Sequence, residues 1–146
     1  MKVLVHIDDA EQWRDALAAR LPEAEVITSQ APAEKRREVD YLAVWKPPEA
    51  LLREPEALKG IVNLGAGVDA LLGNPGLPAG VPIVKLRDAG MAVPIGDYVR
   101  YSLLNFQRHF DHYRRQQHAR EWREHALVEK SNWPVGVLGL GAIGAK

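Results

Sequence analysis

Five short apolar runs, separated by polar segments of helical character, most constrain what this chain can fold into. Lys2–Ile7, Glu25–Thr28, Val39–Trp45, Gly60–Leu64 and Val81–Lys85 are rich in Val, Ile and Leu, and each reads as a strand. After the first, Asp8-Asp9 offers a helix N-cap. Trp13, Leu17 and Leu21 then repeat at spacing four, and Pro22 closes a helix over 10–21. Residues 29–38 are polar and predict a loop or a brief helix. Pro47-Pro48 halts the third strand. Pro48-Glu-Ala-Leu-Leu52 and Pro55-Glu-Ala-Leu-Lys59 each read as a helical turn entered through proline. Strands and helices alternating at these lengths predict a parallel sheet covered on both faces, with right-handed crossovers. By about residue 88 that amounts to one small flavodoxin-like α/β layer.

A different pattern begins at Pro94. Ile95, Tyr98, Val99, Ser102, Leu103, Phe106, Phe110 and Tyr113 step by three or four, which predicts one long amphipathic helix over roughly 94–120. It leads to Val135-Gly-Val-Leu138, read as a further strand, and then to Gly139-Leu140-Gly141-Ala142-Ile143-Gly144. This is a G-x-G-x-x-G between a strand and a helix start. In a dinucleotide-binding unit the first glycine permits the tight turn and the second lets backbone approach a pyrophosphate. The third allows close helix–strand packing. The alternative is a plain structural turn. The residue that chooses between NAD and NADP is expected roughly 20 residues further on, beyond Lys146.

Composition removes several classes of function. Lys+Arg and Asp+Glu both number 19, so no net charge draws the chain to nucleic acid or anionic membrane. With no cysteine, disulfides, thiolate metal sites and a cysteine nucleophile are excluded. The apolar run of the first seven residues is too short for a signal peptide and is broken by Asp8-Asp9, and no stretch approaches the roughly 18 apolar residues of a membrane span. The expectation is a soluble cytoplasmic protein. Arg108–His125 interleaves five arginines and four histidines with Phe110, Tyr113 and Trp122. Nucleic-acid binding is one reading of such a stretch. Asp111, Glu121 and Glu124 dilute its charge, and a solvated face with aromatics packed on a partner fits better. His109 and His112 have no third ligand at metal-binding spacing, so no metal site is expected.

The other glycine cluster, Gly65-Ala66-Gly67, follows the fourth strand. Ligands of open α/β sheets sit beyond the carboxyl ends of strands, and consecutive N–H groups in such a turn can hold a carboxylate or phosphate. The bland alternative is a βα turn that needs glycine for its backbone angles. Trp45, at the end of the third strand, walls a pocket or is partly buried core. Met91, past the fifth strand, lines the same edge or is filler. No nucleophile–base pair is apparent.

Taken together, Asp40-Tyr-Leu-Ala-Val-Trp-Lys-Pro-Pro48, Leu64-Gly-Ala-Gly-Val-Asp-Ala-Leu71, Asp88-Ala-Gly-Met91 leading to Asp97-Tyr98, Trp122 and the final Val135–Lys146 stretch resemble the N-terminal part of the D-isomer-specific 2-hydroxyacid dehydrogenase family. Within it, they resemble the glyoxylate/hydroxypyruvate-reducing branch. The resemblance spans nearly the whole chain and implies three pieces. Residues 1–90 would be a flavodoxin-like substrate domain, 91–130 an interdomain and dimerisation helix region, and 131–146 the first strand and glycine turn of a truncated Rossmann domain. It implies that Gly65, Ala66 and Gly67 hold a substrate carboxylate, that Trp45 and Met91 border the pocket, and that Gly139, Leu140, Gly141, Ala142, Ile143 and Gly144 meet the cofactor pyrophosphate. It further implies a homodimer through 94–125, NADP or NAD as cofactor with NADPH favoured, and a small 2-keto acid as substrate. The family's catalytic Arg, acidic residue and His fall after the fingerprint and have no counterpart here. The chain therefore reads as an inactive fragment of a reductase. The alternatives are a non-catalytic ligand- or partner-binding module on the same fold, or a stand-alone flavodoxin-like regulator whose tail mimics a fingerprint.

Overall fold

A computed structural model describes all 146 residues. The chain divides into two compact units, Met1–Arg87 and Asp88–Lys146.

The first unit is a five-stranded sheet built from β1 (Lys2–His6), β2 (Glu25–Thr28), β3 (Tyr41–Val44), β4 (Gly60–Asn63) and β5 (Ile83–Lys85). Every pairing is parallel, and the strand order is β2-β1-β3-β4-β5, the flavodoxin-like arrangement. Val3, Leu4 and Val5 are all buried, as expected of a central strand covered on both faces. Because side chains alternate along a strand, Leu4, Leu42, Val44 and Ile61 enter one core with Val39, Leu71 and the Leu51 and Leu52 of α3 (Glu49–Arg53). Val3, Val5 and Ala43 enter the other, beneath Trp13 and Leu17 of α1 (Ala10–Arg20). The register aligns His6 with Val44, Val44 with Asn63, and Asn63 with Lys85. The carboxyl ends of four strands thus form one row.

Several local expectations change. Asp9 occupies the N-cap of α1, but its side chain makes no capping hydrogen bond. The polar stretch 29–38, expected as loop or brief helix, contains one short helix, α2 (Ala33–Arg37). The turn entered at Pro48 becomes α3, whereas 55–59 is not helical. There Glu56 and Lys59 donate their N–H groups to Arg37 and Asp40 carbonyls at 3.0 and 2.7 Å, which draws the segment alongside the preceding elements. After β4 comes one short turn of helix, α4 (Asp69–Leu72).

In the second unit the single long helix expected over 94–120 is two: α5 (Ala92–Gln107) and α6 (Phe110–Ala119). His109 between them has φ +57°, a left-handed conformation that ends a helix. Asn105 braces the corner, donating to Asp111 Oδ2 at 3.0 Å and accepting from Arg114 at 3.0 Å. Pro94 sits in the first turn of α5, where its missing N–H has no intrahelical partner to lose. The expected strand Val135–Leu138 pairs with nothing, and Val135, Val137 and Leu138 are exposed. A parallel strand exists only against a neighbour, and this unit contains no other strand. No helix is long and apolar enough to cross a membrane.

Candidate functional site

The row of strand ends delivers two loops side by side. Trp45 continues the ladder past β3, donating its N–H to the His6 carbonyl at 2.8 Å, and Leu64 continues past β4 to the Val44 carbonyl at 2.8 Å. The next residues are Trp45-Lys46-Pro47 on one side and Gly65-Ala66-Gly67 on the other. The Trp45 indole lies flush on the Gly65 backbone, so that a Cβ at position 65 would overlap ring atoms Cζ3, Cε3 and Cη2. Glycine is needed at 65 for this approach, whatever its backbone angles. Trp45 is half-buried by the contact.

Beneath the loop, Asn63 is 2% exposed. Its Nδ2 donates to the carbonyls of Gly65 at 2.7 Å and Gly67 at 2.9 Å. Sequence reasoning gave this residue no role. A polar side chain at the last position of a buried strand, followed at once by a glycine turn, is the signal that marks it. The N–H groups of Gly65, Ala66, Gly67 and Val68 have no acceptor within the chain. Lys46, also passed over, takes a left-handed φ of +48° and holds its ammonium 5.6 Å from the centre of the Trp45 ring. Such a cation–π contact is worth about 0.5–1 kcal/mol at an exposed site. Further along the row, His6 Nδ1 stands 3.0 Å from Ser29 Oγ, and burial holds its pKa below the ordinary imidazole value while Asp8 pulls it back.

Met91 lies in the second unit, at the N-cap of α5. It is preceded by three consecutive left-handed residues, Asp88, Ala89 and Gly90, with φ of +65°, +48° and +83°. Asp88 Oδ1 accepts the Ala92 N–H at 2.7 Å.

The six residues of the fingerprint form one compact turn in the second unit. Gly139 has φ +94°. A Cβ on Gly144 would overlap the Gly139 carbonyl oxygen, whereas one on Gly141 would meet nothing within 4 Å. Ala145 N–H bonds to the Gly141 carbonyl at 3.1 Å, the first helical hydrogen bond. The N–H groups of Leu140, Gly141, Ala142, Ile143 and Gly144 have no acceptor in the chain. A bend at the first glycine, an open approach at the second and close packing at the third are what a bound pyrophosphate requires, so these residues fit the cofactor that the motif implies.

His109, His112 and His125 gather with ring centres 5.4–5.7 Å apart, and Tyr113 stands edge-on to His125. No group of three such side chains is arranged to hold a metal ion. A cavity of about 610 Å³ in the second unit is lined by Tyr101, Phe110, Tyr113 and Trp122 among others. Asn105, Gln116, Gln117 and several charged side chains complete its walls.

No protein-family model matches the chain. Among solved structures, it superposes with TM-score 0.81 and 33% identity on a D-isomer-specific 2-hydroxyacid dehydrogenase from Xanthobacter autotrophicus in complex with NADPH, covering 98% of this chain and 47% of that one. A probable 2-hydroxyacid dehydrogenase from Rhizobium etli, in complex with NADP, gives TM-score 0.82 at 32% identity, over 99% of this chain and 46% of that one. Sequence and fold together relate the chain to the D-isomer-specific 2-hydroxyacid dehydrogenases.

Curated relatives of the chain include proteins named glyoxylate/hydroxypyruvate reductase A. The protein from Serratia proteamaculans is 42% identical over 93% of this chain, and the one from Photorhabdus laumondii is 38% identical over 94%. The chain spans less than half the length of these relatives, 44% and 45% respectively.

Proposed function

We propose that this chain supplies the substrate-carboxylate loop and the cofactor turn of an enzyme that reduces glyoxylate, hydroxypyruvate or a similar small 2-keto acid with NAD(P)H. The observation that carries the reading is the coexistence of two glycine turns, 65–67 and 139–144, each with N–H groups that have no acceptor in the chain. Residues 1–90 act as the substrate domain, 91–130 as the connecting region and 131–146 as the entry to the cofactor domain. Gly65, Ala66 and Gly67 hold the carboxylate, Trp45 and Met91 border the substrate, and Gly139 through Gly144 take the pyrophosphate at a nascent helix start. NADPH is the preferred cofactor, in keeping with related structures solved with NADPH or NADP. When bound, it supplies a hydride to the carbonyl carbon, and the oxygen takes up a proton. The residues of this chain bind and orient. The proton donor and the Arg that orients the substrate lie outside these 146 residues, which turn nothing over by themselves. Two copies associate across residues 94–125, where Tyr98, Tyr101, Phe106 and Trp122 are exposed.

The test is a chimera joining residues 1–146 to the remainder of the Serratia relative. It is expected to oxidise NADPH with glyoxylate or hydroxypyruvate, while residues 1–146 alone show no turnover. A folded chimera that binds NADPH yet reduces no 2-keto acid would overturn the assignment. Turnover by the 146-residue chain would overturn the placement of catalysis outside it. Sedimentation of the chain with and without Trp122→Ala tests the dimer face.

A further inference from the structure

We propose that Asn63 is the positioning residue of the 65–68 loop, fixing which backbone N–H groups an anionic ligand meets. The inference rests on the carboxylate-binding role proposed for the loop and goes on to name the donors and what aims them. In a planar trans peptide, the carbonyl of one residue and the N–H of the next point in opposite directions. The chain has no cis peptide bond. Asn63 Nδ2 draws the Gly65 and Gly67 carbonyls toward itself. The Ala66 and Val68 N–H groups are therefore turned away from Asn63, and neither has an acceptor in the chain. Asn63 is buried at the end of a strand whose register fixes it between Val44 and Lys85, so the aim is set by the sheet. The Trp45 ring lies against the Gly65 backbone and restricts how the loop can rearrange. Two N–H groups turned the same way, with one residue between them, suit the two oxygens of a carboxylate.

This role differs from a merely structural one. A buried amide kept for stability affects the fold when removed, whereas a positioning amide affects ligand affinity in a protein that remains folded. The experiment is an amide NMR titration of the 146-residue chain with oxalate, a small inert mimic of a 2-keto acid. In the wild type, the Ala66 and Val68 amides are expected to move most and with one common saturation curve. Asn63→Leu removes both donors at similar volume without adding charge. It is expected to weaken oxalate at least tenfold while the amides of β1 and β3 keep their positions. Asn63→His, which retains a donor, is expected to fall between the two. If the wild type binds no oxalate through residues 65–68, the carboxylate reading itself fails. If the wild type binds and a folded Asn63→Leu binds equally well, or if the shifts centre on Gly65 and Gly67, the positioning inference fails. Where Asn63→Leu does not fold, through-hydrogen-bond couplings from Asn63 Nδ2 to the Gly65 and Gly67 carbonyl carbons in the wild type decide. Their presence with and without oxalate supports the inference, and their loss on binding overturns it.

Discussion

Trp45 and Gly65 share one small volume, and that sharing makes a sharp demand on residue 65. Gly65→Ala puts a methyl group into the indole, so either the ring or the loop must move. The expected cost is about 1–3 kcal/mol in urea denaturation, the usual range for overpacking. Trp45→Leu in the same background should recover part of it, and a double-mutant cycle reads the coupling. A second contest lies at the start of the second unit. Asp88→Ala removes the acceptor for the Ala92 N–H and should cost about 1 kcal/mol, as for other lost caps. Ala89→Gly relieves a left-handed alanine and should be neutral or stabilising by up to about 1 kcal/mol. Opposite signs at adjacent residues, measured by thermal melts, would separate capping from backbone strain.

At the scale of elements, Arg36 joins α2 to the residue after α3. It donates to Glu54 at 2.6 and 2.8 Å and to the Ser29 and Ala31 carbonyls at 3.3 and 2.7 Å. The hydrogen bond from Arg36 holds the Glu54 carboxyl below the ordinary carboxylate value. A lowered acid pKa contributes stability above the unfolded-state value, and that contribution disappears as pH falls through the folded-state value. Glu54→Gln should therefore cost about 1 kcal/mol at neutral pH, with the gap to wild type closing in the acid range. His125 shows the converse arrangement for a base. Burial, then the neighbouring His109, His112 and Arg123, hold its pKa below the usual value. Its neutral form suits the fold, so packing around it should weaken as pH falls below the ordinary imidazole range. NMR titration should find His125 protonating below the ordinary imidazole range.

The elements also show what a linear sequence discloses. The five strands of the first unit were legible because each is a dense apolar run, bounded by polar residues, glycine or proline, in a sheet covered on both faces. Trp45 and the Gly65 loop were each legible as strand-end features, but their contact was not, because it depends on β3 and β4 being neighbours in the sheet. The break at Arg108–His109 was not legible. No glycine or proline marks it, and the apolar period runs through it unchanged. It depends on side chains of Asn105, Asp111 and Arg114 meeting around a corner. The strand at Val135–Leu138 was misread for a related reason, since apolar β-branched residues describe a strand only when a partner backbone is present. Asn63 was visible as a letter, but the two carbonyls it clamps are defined only after the loop has folded.

For the whole molecule, the two units carry their stability differently. Both hydrophobic cores belong to residues before 88, while the second unit leaves many large apolar side chains exposed, with Trp122 at 94%. Residues 1–87 expressed alone should retain a cooperative unfolding transition and slow amide exchange at Leu4, Leu42 and Ile61. Amides of the second unit in the intact chain should exchange faster, because few of its side chains are removed from water. Global exchange rates shared by both units would contradict this division.

The parallel register has a consequence for tolerance to insertion and deletion. Each crossover leaves the sheet at its carboxyl rim, after His6, Thr28, Val44 or Asn63, and returns at the far edge. Returning connections such as 21–24, 54–59 and 73–82 already differ in length, and a residue gained or lost there is absorbed without shifting the row. The same change between Asn63 and Asp69, or between Val44 and Glu49, would displace the ring, the amide or the loop that meets it. Length variation among proteins of this fold should therefore collect on one rim of the sheet, leaving the opposite rim nearly constant in residue count.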